Sequence, residues 1–183
     1  MTEQVVVFEV LGLLEKFLPN QRVKSIFEIT PAMLQEHEVK GIVTDLDNTL
    51  VAWDMPQATP ELVLWFQAMQ EAGIAITIVS NNHEQRVRAF AEPLGIPFIF
   101  KARKPLTTAF QKAIREMNVT KESVVVIGDQ LMTDVLGGRR LGAYTILVVP
   151  VAQSDGLVTR FNRRLERLVL SKLRRKGLID WED

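Results

Sequence analysis

From residue 41 onward, short runs of β-branched and apolar residues alternate with longer segments whose apolar positions recur every three or four residues. The first pattern predicts buried strands and the second amphipathic helices. The strands are "KGIVTDL", "IAITIVS", "PFIF", "SVVVIGD" and "YTILVVP". Between the first two, "TPELVLWFQAMQEAG" predicts a helix with Thr59 as N-cap, Pro60 at its first position and Gly73 at its end. "NNHEQRVRAFAEPLG" predicts a second, capped by Asn82 with Gln85 three residues on. "PLTTAFQKAIREMN" predicts a third. "QLMTDVLGGRRLGA" predicts a fourth, weakened by Gly137 and Gly138. Upstream, "VVVFEVLGLLEKFLP" predicts a helix, and Thr30–Pro31 starts another.

Strands alternating with helices of this length predict the α/β class: a three-layer, Rossmann-like domain with a mostly parallel central sheet. No internal repeat or low-complexity tract interrupts it. The expected division is a helical N-terminal extension at 1–38 packed on the core, a catalytic domain at 39–152, and a basic amphipathic helix or tail at 153–183. Parallel sheets bind ligands at the carboxyl ends of their strands. Four polar landmarks fall at such ends: Asp45 with Asp47, Ser80, Lys104 and Asp129.

Composition narrows the chemistry. The chain has 183 residues, 47% of them hydrophobic and 24% charged, which suits one globular domain. With no cysteine, disulfides, thiolate metal sites and cysteine nucleophiles are excluded. His37 and His83 are the two histidines, too few for a multi-histidine zinc site. No window reaches the roughly 18 apolar residues of a membrane span. The first residues carry acid rather than base, unlike a secretory signal. A cytoplasmic protein is expected, with peripheral attachment to the inner face of the membrane as an option. Residues 160–176 hold eight Arg or Lys against one Glu in a chain of net charge zero. Phe161, Leu165, Leu168, Val169 and Leu173 recur there at helical spacing. This stretch could dock on the protein's own core or lie on an anionic membrane surface. Nucleic acid fits it less well, because aromatic residues are scarce.

Each landmark has an ordinary explanation. Asp and Ser are common turn formers, lysines are commonly solvated, and His83 suits the first turn of its helix. An apolar strand that runs directly into Asp-Leu-Asp is harder to explain that way, because adjacent anions repel. Taken together, Asp45, Asp47 and Asp129 form an oxygen-only site suited to Mg²⁺. Lys104 adds positive charge and Ser80 a hydroxyl. Metal, lysine and hydroxyl are what a transferring phosphoryl group requires. One carboxylate could attack it and the other could move protons.

"DLDNT", "VSNN", "KARKP" and "GDQLMTD" resemble, in order, the four motifs of the haloacid dehalogenase superfamily of phosphatases, across roughly residues 40 to 150. The chain is similar to the small capless subfamily IIIA and its bacterial YqeG-type group, which resembles the mitochondrial phosphatidylglycerophosphate phosphatases. The resemblance implies roles. Asp45 would be the nucleophile and a metal ligand. Asp47 would be the general acid and base and lend its backbone carbonyl to the metal. Thr49 would order the loop and, with Ser80, Asn81 and Lys104, serve the phosphate. Asp129 would be a third ligand to Mg²⁺, and Asp134 would support it from behind.

The 32 residues between Asp47 and Ser80 and the 23 between Ser80 and Lys104 leave no room for a cap domain. An open site favours a large or lipid-borne phosphorylated substrate, such as a phospholipid head group, or closure by another subunit. "LVAWD" would form a flap, with Trp53 a candidate contact. Two alternatives remain: a receiver-like phosphoaccepting switch, and an inactive membrane- or RNA-binding protein on the same fold.

Overall fold

The structure, a computed structural model, describes residues 14–152 and 157–180, with the side chains of the last helix described from Glu166 onward. Most of the first expected helix, and the side chains of Phe161 and Leu165, lie outside the described residues. The strands are β1 (Gln21–Val23), β2 (Gly41–Thr44), β3 (Ala75–Val79), β4 (Phe98–Ile99), β5 (Val124–Gly128) and β6 (Tyr144–Val148). The helices are α1 (Pro31–Glu36), α2 (Pro60–Glu71), α3 (Glu84–Ala91), α4 (Thr108–Glu116), α5 (Leu136–Leu141) and α6 (Leu157–Arg175).

The strands form one sheet in the order β1-β6-β5-β2-β3-β4, with every pairing parallel. Strand β2 is central. The chain leaves it toward β3 and β4, then returns to its other side as β5. That reversal of direction opens the crevice where ligands of such sheets bind.

The strands read as unbroken apolar runs because both faces are covered. Ile42 of β2 and Val125 and Ile127 of β5 join one core cluster, while Val43, Val124 and Val126 join the cluster on the opposite face. Helix α2 starts as expected, with the Thr59 hydroxyl accepting from Leu62 N. Its Trp65 donates from Nε1 to the carbonyl of Ile29 at 2.8 Å, tying the N-terminal segment to the core.

Three expectations need correction. Strand β1 has no counterpart among the expected elements; its three residues are too short to show a period. The cap of α3 is His83, which makes no side-chain capping bond; Asn82, the expected cap, lies one residue earlier, where its amide donates to Asp47 and accepts from His83 N. "QLMTDVLGG" begins as a π-helical turn, Leu131–Val135, before α5. The glycines there serve close packing. A Cβ on Gly137 would lie 2.5 Å from Phe110, and one on Gly138 2.6 Å from Thr145.

Helix α6 docks part of its apolar stripe. Leu173 is buried with Leu14 and Ile179, and Leu170 reaches Leu131, Val135 and Leu147. Leu168 stays outside. No described helix is long and apolar enough to cross a membrane.

Candidate active site

At the carboxyl edge of β2, the chain passes from ladder into loop at Asp45, whose N–H still donates to Ile127 of β5 at 2.9 Å. Asp129 follows the end of β5, and Asp134 lies in the π-helical turn, a geometry frequent at functional sites. Gly128 makes this arrangement possible: a Cβ there would coincide with the Asp134 carboxyl, 2.2 Å from its Cγ.

The carboxylates of Asp45, Asp129 and Asp134 converge within 4.8 Å, all three buried. Lys104, also buried, donates from Nζ to Asp45 Oδ1 at 2.7 Å and to Asp134 Oδ1 at 2.6 Å. Asp134 is further fixed through Oδ2, which accepts from Gln130 N and from the Thr133 hydroxyl, both at 3.2 Å. The Thr49 hydroxyl donates to Asp129 Oδ1 at 3.1 Å. Thr49 therefore orients a carboxylate, where a part in phosphate binding had also been expected.

One lysine faces three carboxylates. Burial raises the Asp45 pKa; Lys104 lowers it and Asp134 raises it again, leaving it pushed up to about 6. Burial, with the charges of Asp45 and Asp134, holds Asp129 well above the usual carboxylate range. Burial opposes the charge of Lys104, but Asp134 and Asp45 outweigh it and raise its pKa. Such a site suits an added cation. Its donors are all oxygen and close together, as Mg²⁺ requires, and a dication would offset the excess anionic charge. Asp45, Asp129 and Asp134 are the side chains that could hold it.

Asp47 stands apart from that cluster. Its Oδ2 accepts from Asn82 Nδ2 at 2.9 Å, and its Oδ1 accepts from Arg86 Nε at 3.0 Å, with Arg86 Nη2 ion-paired to the same oxygen at 2.9 Å. The two residues of Asp-Leu-Asp thus meet different surroundings: Asp45 meets lysine and carboxylates, Asp47 an arginine and an amide.

The loop bearing Lys104 is tightly held. Lys101 and Arg103 both have left-handed backbones, at φ 47° and 56°, a strained conformation for non-glycine residues. Ala102 N donates to the Ser80 carbonyl and Lys101 N to that of Asn82. Asn81 accepts from Lys104 N at 2.7 Å and donates to the Lys104 carbonyl at 3.3 Å. Both ends of the Asn81 amide thus grip backbone, where a phosphate contact had been expected. The buried Ser80 hydroxyl accepts from Asn82 N at 3.1 Å.

Arg86, Thr133 and the part played by Asn82 were absent from the expected site. No spacing rule pointed to Arg86, because Asn82 precedes the helix that carries Arg86 and the two share no helical face. Glu166 of α6 also reaches this edge, accepting from Met132 N at 3.3 Å.

Residues 11–142 match the family model described as haloacid dehalogenase-like hydrolase. The chain is 65% identical over 167 residues to "Probable phosphatase YqeG" of Bacillus subtilis, covering 91% of this chain and 97% of that one. It is 28% identical over 172 residues to a chloroplastic/mitochondrial phosphatidylglycerophosphate phosphatase 1 of Arabidopsis thaliana, covering 88% of this chain and 49% of that longer one. In structure it is similar to the cobalt-bound deoxy-D-mannose-octulosonate 8-phosphate phosphatase of Haemophilus influenzae, with a TM-score of 0.51 and 16% identity, over 79% of this chain and 95% of the other.

Proposed function

The chain belongs to the haloacid dehalogenase-like hydrolases, and on that premise we propose that it is a Mg²⁺-dependent phosphomonoester hydrolase acting through an aspartyl-phosphate, on a phospholipid head-group phosphate such as that of phosphatidylglycerophosphate. The observation that carries this reading is the contrast between Asp45, buried against Lys104, and Asp47, held two residues away by Arg86 and Asn82.

Asp45 is the nucleophile. Lys104 takes its Oδ1, and its Oδ2 is the oxygen assigned to attack phosphorus. The bond to the leaving oxygen breaks as Asp47 gives that oxygen a proton, so the product departs as an alcohol. Asp47, now ionised, takes a proton from water. That water attacks phosphorus, breaks the acyl-phosphate bond and restores Asp45 with release of phosphate. Lys104 and the Ser80 hydroxyl are assigned to the phosphoryl oxygens, and Asn81 keeps Lys104 in place. Asp45, Asp129, Asp134 and the Asp47 carbonyl would hold Mg²⁺, which would supply charge neutralisation for the phosphoryl group.

Substrate size is supported by the short connections around the site, which carry no cap. The lipid assignment rests on likeness to the Arabidopsis phosphatase together with the basic helix at residues 160–176. The test is a screen of phosphate release with Mg²⁺, pairing an aryl phosphate with phosphatidylglycerophosphate in mixed micelles. Release from both in wild type, and from neither in Asp45→Asn, supports the proposal. Release from the aryl phosphate alone removes the lipid assignment.

A further inference from the structure

Among the described residues, seven large apolar side chains stand exposed, and five of them lie on segments bordering the candidate site. Trp53 (51% exposed) and Met55 (46%) lie on the loop after β2. Leu106 (55%) is two residues beyond Lys104. Val151 (56%) follows β6, and its N–H donates to the carbonyl of Asn48, next to Asp47, at 2.8 Å. Leu168 (62%) is on α6, which packs on the π-helical turn that carries Asp134. Scattered exposed apolar residues are normal, but a group around one opening is a sign of an interaction surface.

Helix α6 adds charge to the same edge. Its inward stripe is Glu166, Val169, Leu170 and Leu173. Arg167, Leu168, Lys172 and Arg175 follow helical spacing on the other side, and all are exposed. Trp53 and Met55 share one loop, and Leu106 and Val151 stand on two others, so the apolar points are spread over three loops rather than along one segment. A tryptophan, small apolar points and a basic stripe are instead the combination that settles at the boundary of an anionic bilayer.

We infer that this edge is a docking face for an anionic membrane surface. Trp53, Met55, Leu106 and Val151 enter the headgroup boundary, while Arg167, Lys172 and Arg175 sit on anionic headgroups. The mouth of the site then opens directly onto membrane-borne phosphate. This inference rests on the lipid-phosphate reading and deepens it, because it gives the open site its closing surface.

The experiment is flotation of the full chain with phosphatidylcholine vesicles, with and without phosphatidylglycerol, at low and high salt. Wild type is expected on anionic vesicles and not on neutral ones, with loss at high salt. Combining Arg167→Glu, Lys172→Glu and Arg175→Glu is expected to weaken binding by roughly a hundredfold or more, since each basic residue contributes separately. Met55→Ser with Leu106→Ser is expected to weaken it about tenfold. Aryl phosphate turnover should be unchanged in both variants, which shows that they fold. Failure of wild type to bind anionic vesicles at low salt, or binding by both variants equal to wild type, overturns the inference. So does charge-dependent capture of RNA or a protein without vesicle binding. Vesicle binding without lipid-phosphate hydrolysis removes the substrate reading and leaves docking intact. Hydrolysis in detergent micelles without vesicle binding does the reverse.

Discussion

Arg86 holds one oxygen of Asp47 with a hydrogen bond from Nε at 3.0 Å and an ion-pair contact from Nη2 at 2.9 Å, and its guanidinium lies 5.8 Å from the Phe90 ring centroid. The fork is mostly buried, so Asp47 has little freedom to turn. A group meant to protonate a leaving oxygen must be held in place, since general acid catalysis contributes about 10²–10⁴-fold.

Arg86→Ala should therefore act selectively. An alkyl phosphate, whose leaving oxygen needs a proton, should lose about a hundredfold or more in kcat. An aryl phosphate with a good leaving group should lose only a few-fold. Arg86→Lys should recover part of the alkyl activity, lacking the two-nitrogen fork. Equal losses on both substrates would show that Arg86 merely supports the fold.

Asn81→Ala removes the two hydrogen bonds that hold the Lys104 backbone, at a stability cost of about 1–3 kcal/mol. The expected result is a kcat loss of about tenfold or more with a modest fall in Tm, because Lys104 Nζ must stay within bonding distance of Asp45. Unchanged kcat with lowered Tm would give Asn81 a structural part only.

Gly128→Ala puts a methyl group where the Asp134 carboxyl sits, 2.2 Å from its Cγ. Asp134 must move and release Lys104, its partner at 2.6 Å. Activity should be nearly abolished, with a destabilisation of about 1–3 kcal/mol from overpacking. Denaturant unfolding and phosphate release measure the two effects.

The acidic cluster makes stability depend on pH in a direction opposite to that of an ordinary salt-bridged carboxylate. Asp45 has a folded pKa of about 6 against 3.8 for the free group, so the folded state binds its proton more tightly. Its destabilising effect is absent below about pH 3.8, grows as pH rises, and is complete above about 6, at roughly 3 kcal/mol. Asp129 is shifted the same way. Without metal, Asp45→Asn should raise the Tm at pH 7 and have little effect at pH 4. Adding Mg²⁺ at pH 7 should raise the wild-type Tm, and Asp129→Asn should remove that response. A wild-type Tm unmoved by Mg²⁺ would argue against the metal assignment.

The parallel sheet was legible because its strands are buried on both faces and read as unbroken apolar runs, as in "SVVVIGD". The convergence of Asp45, Lys104 and Asp129 followed from their places at strand ends. Strand β1 was hidden because three edge residues carry no period. The π-helical turn was hidden because its backbone answers to packing, with Gly128 making way for Asp134. The resemblance put Asn81 and Thr49 beside the phosphate; the structure adds that the Asn81 amide holds the Lys104 backbone and the Thr49 hydroxyl holds Asp129, partners that no motif spells out. Arg86 was passed over as one charge on an amphipathic helix, and only the folded geometry brings it to Asp47. For α6, docking on the core and exposure to a surface were framed as alternatives, yet the helix has one stripe for each.

The central claim is that Asp45 receives the phosphoryl group and Asp47 enables its release. The most direct test is acid quench of Asp47→Asn during reaction with a good-leaving-group aryl phosphate and Mg²⁺, followed by peptide mass analysis. The account predicts a phosphoryl group on Asp45 that outlasts the one in wild type, and none in Asp45→Asn. A phosphoryl group on another residue, or wild-type turnover by Asp45→Asn, would contradict it.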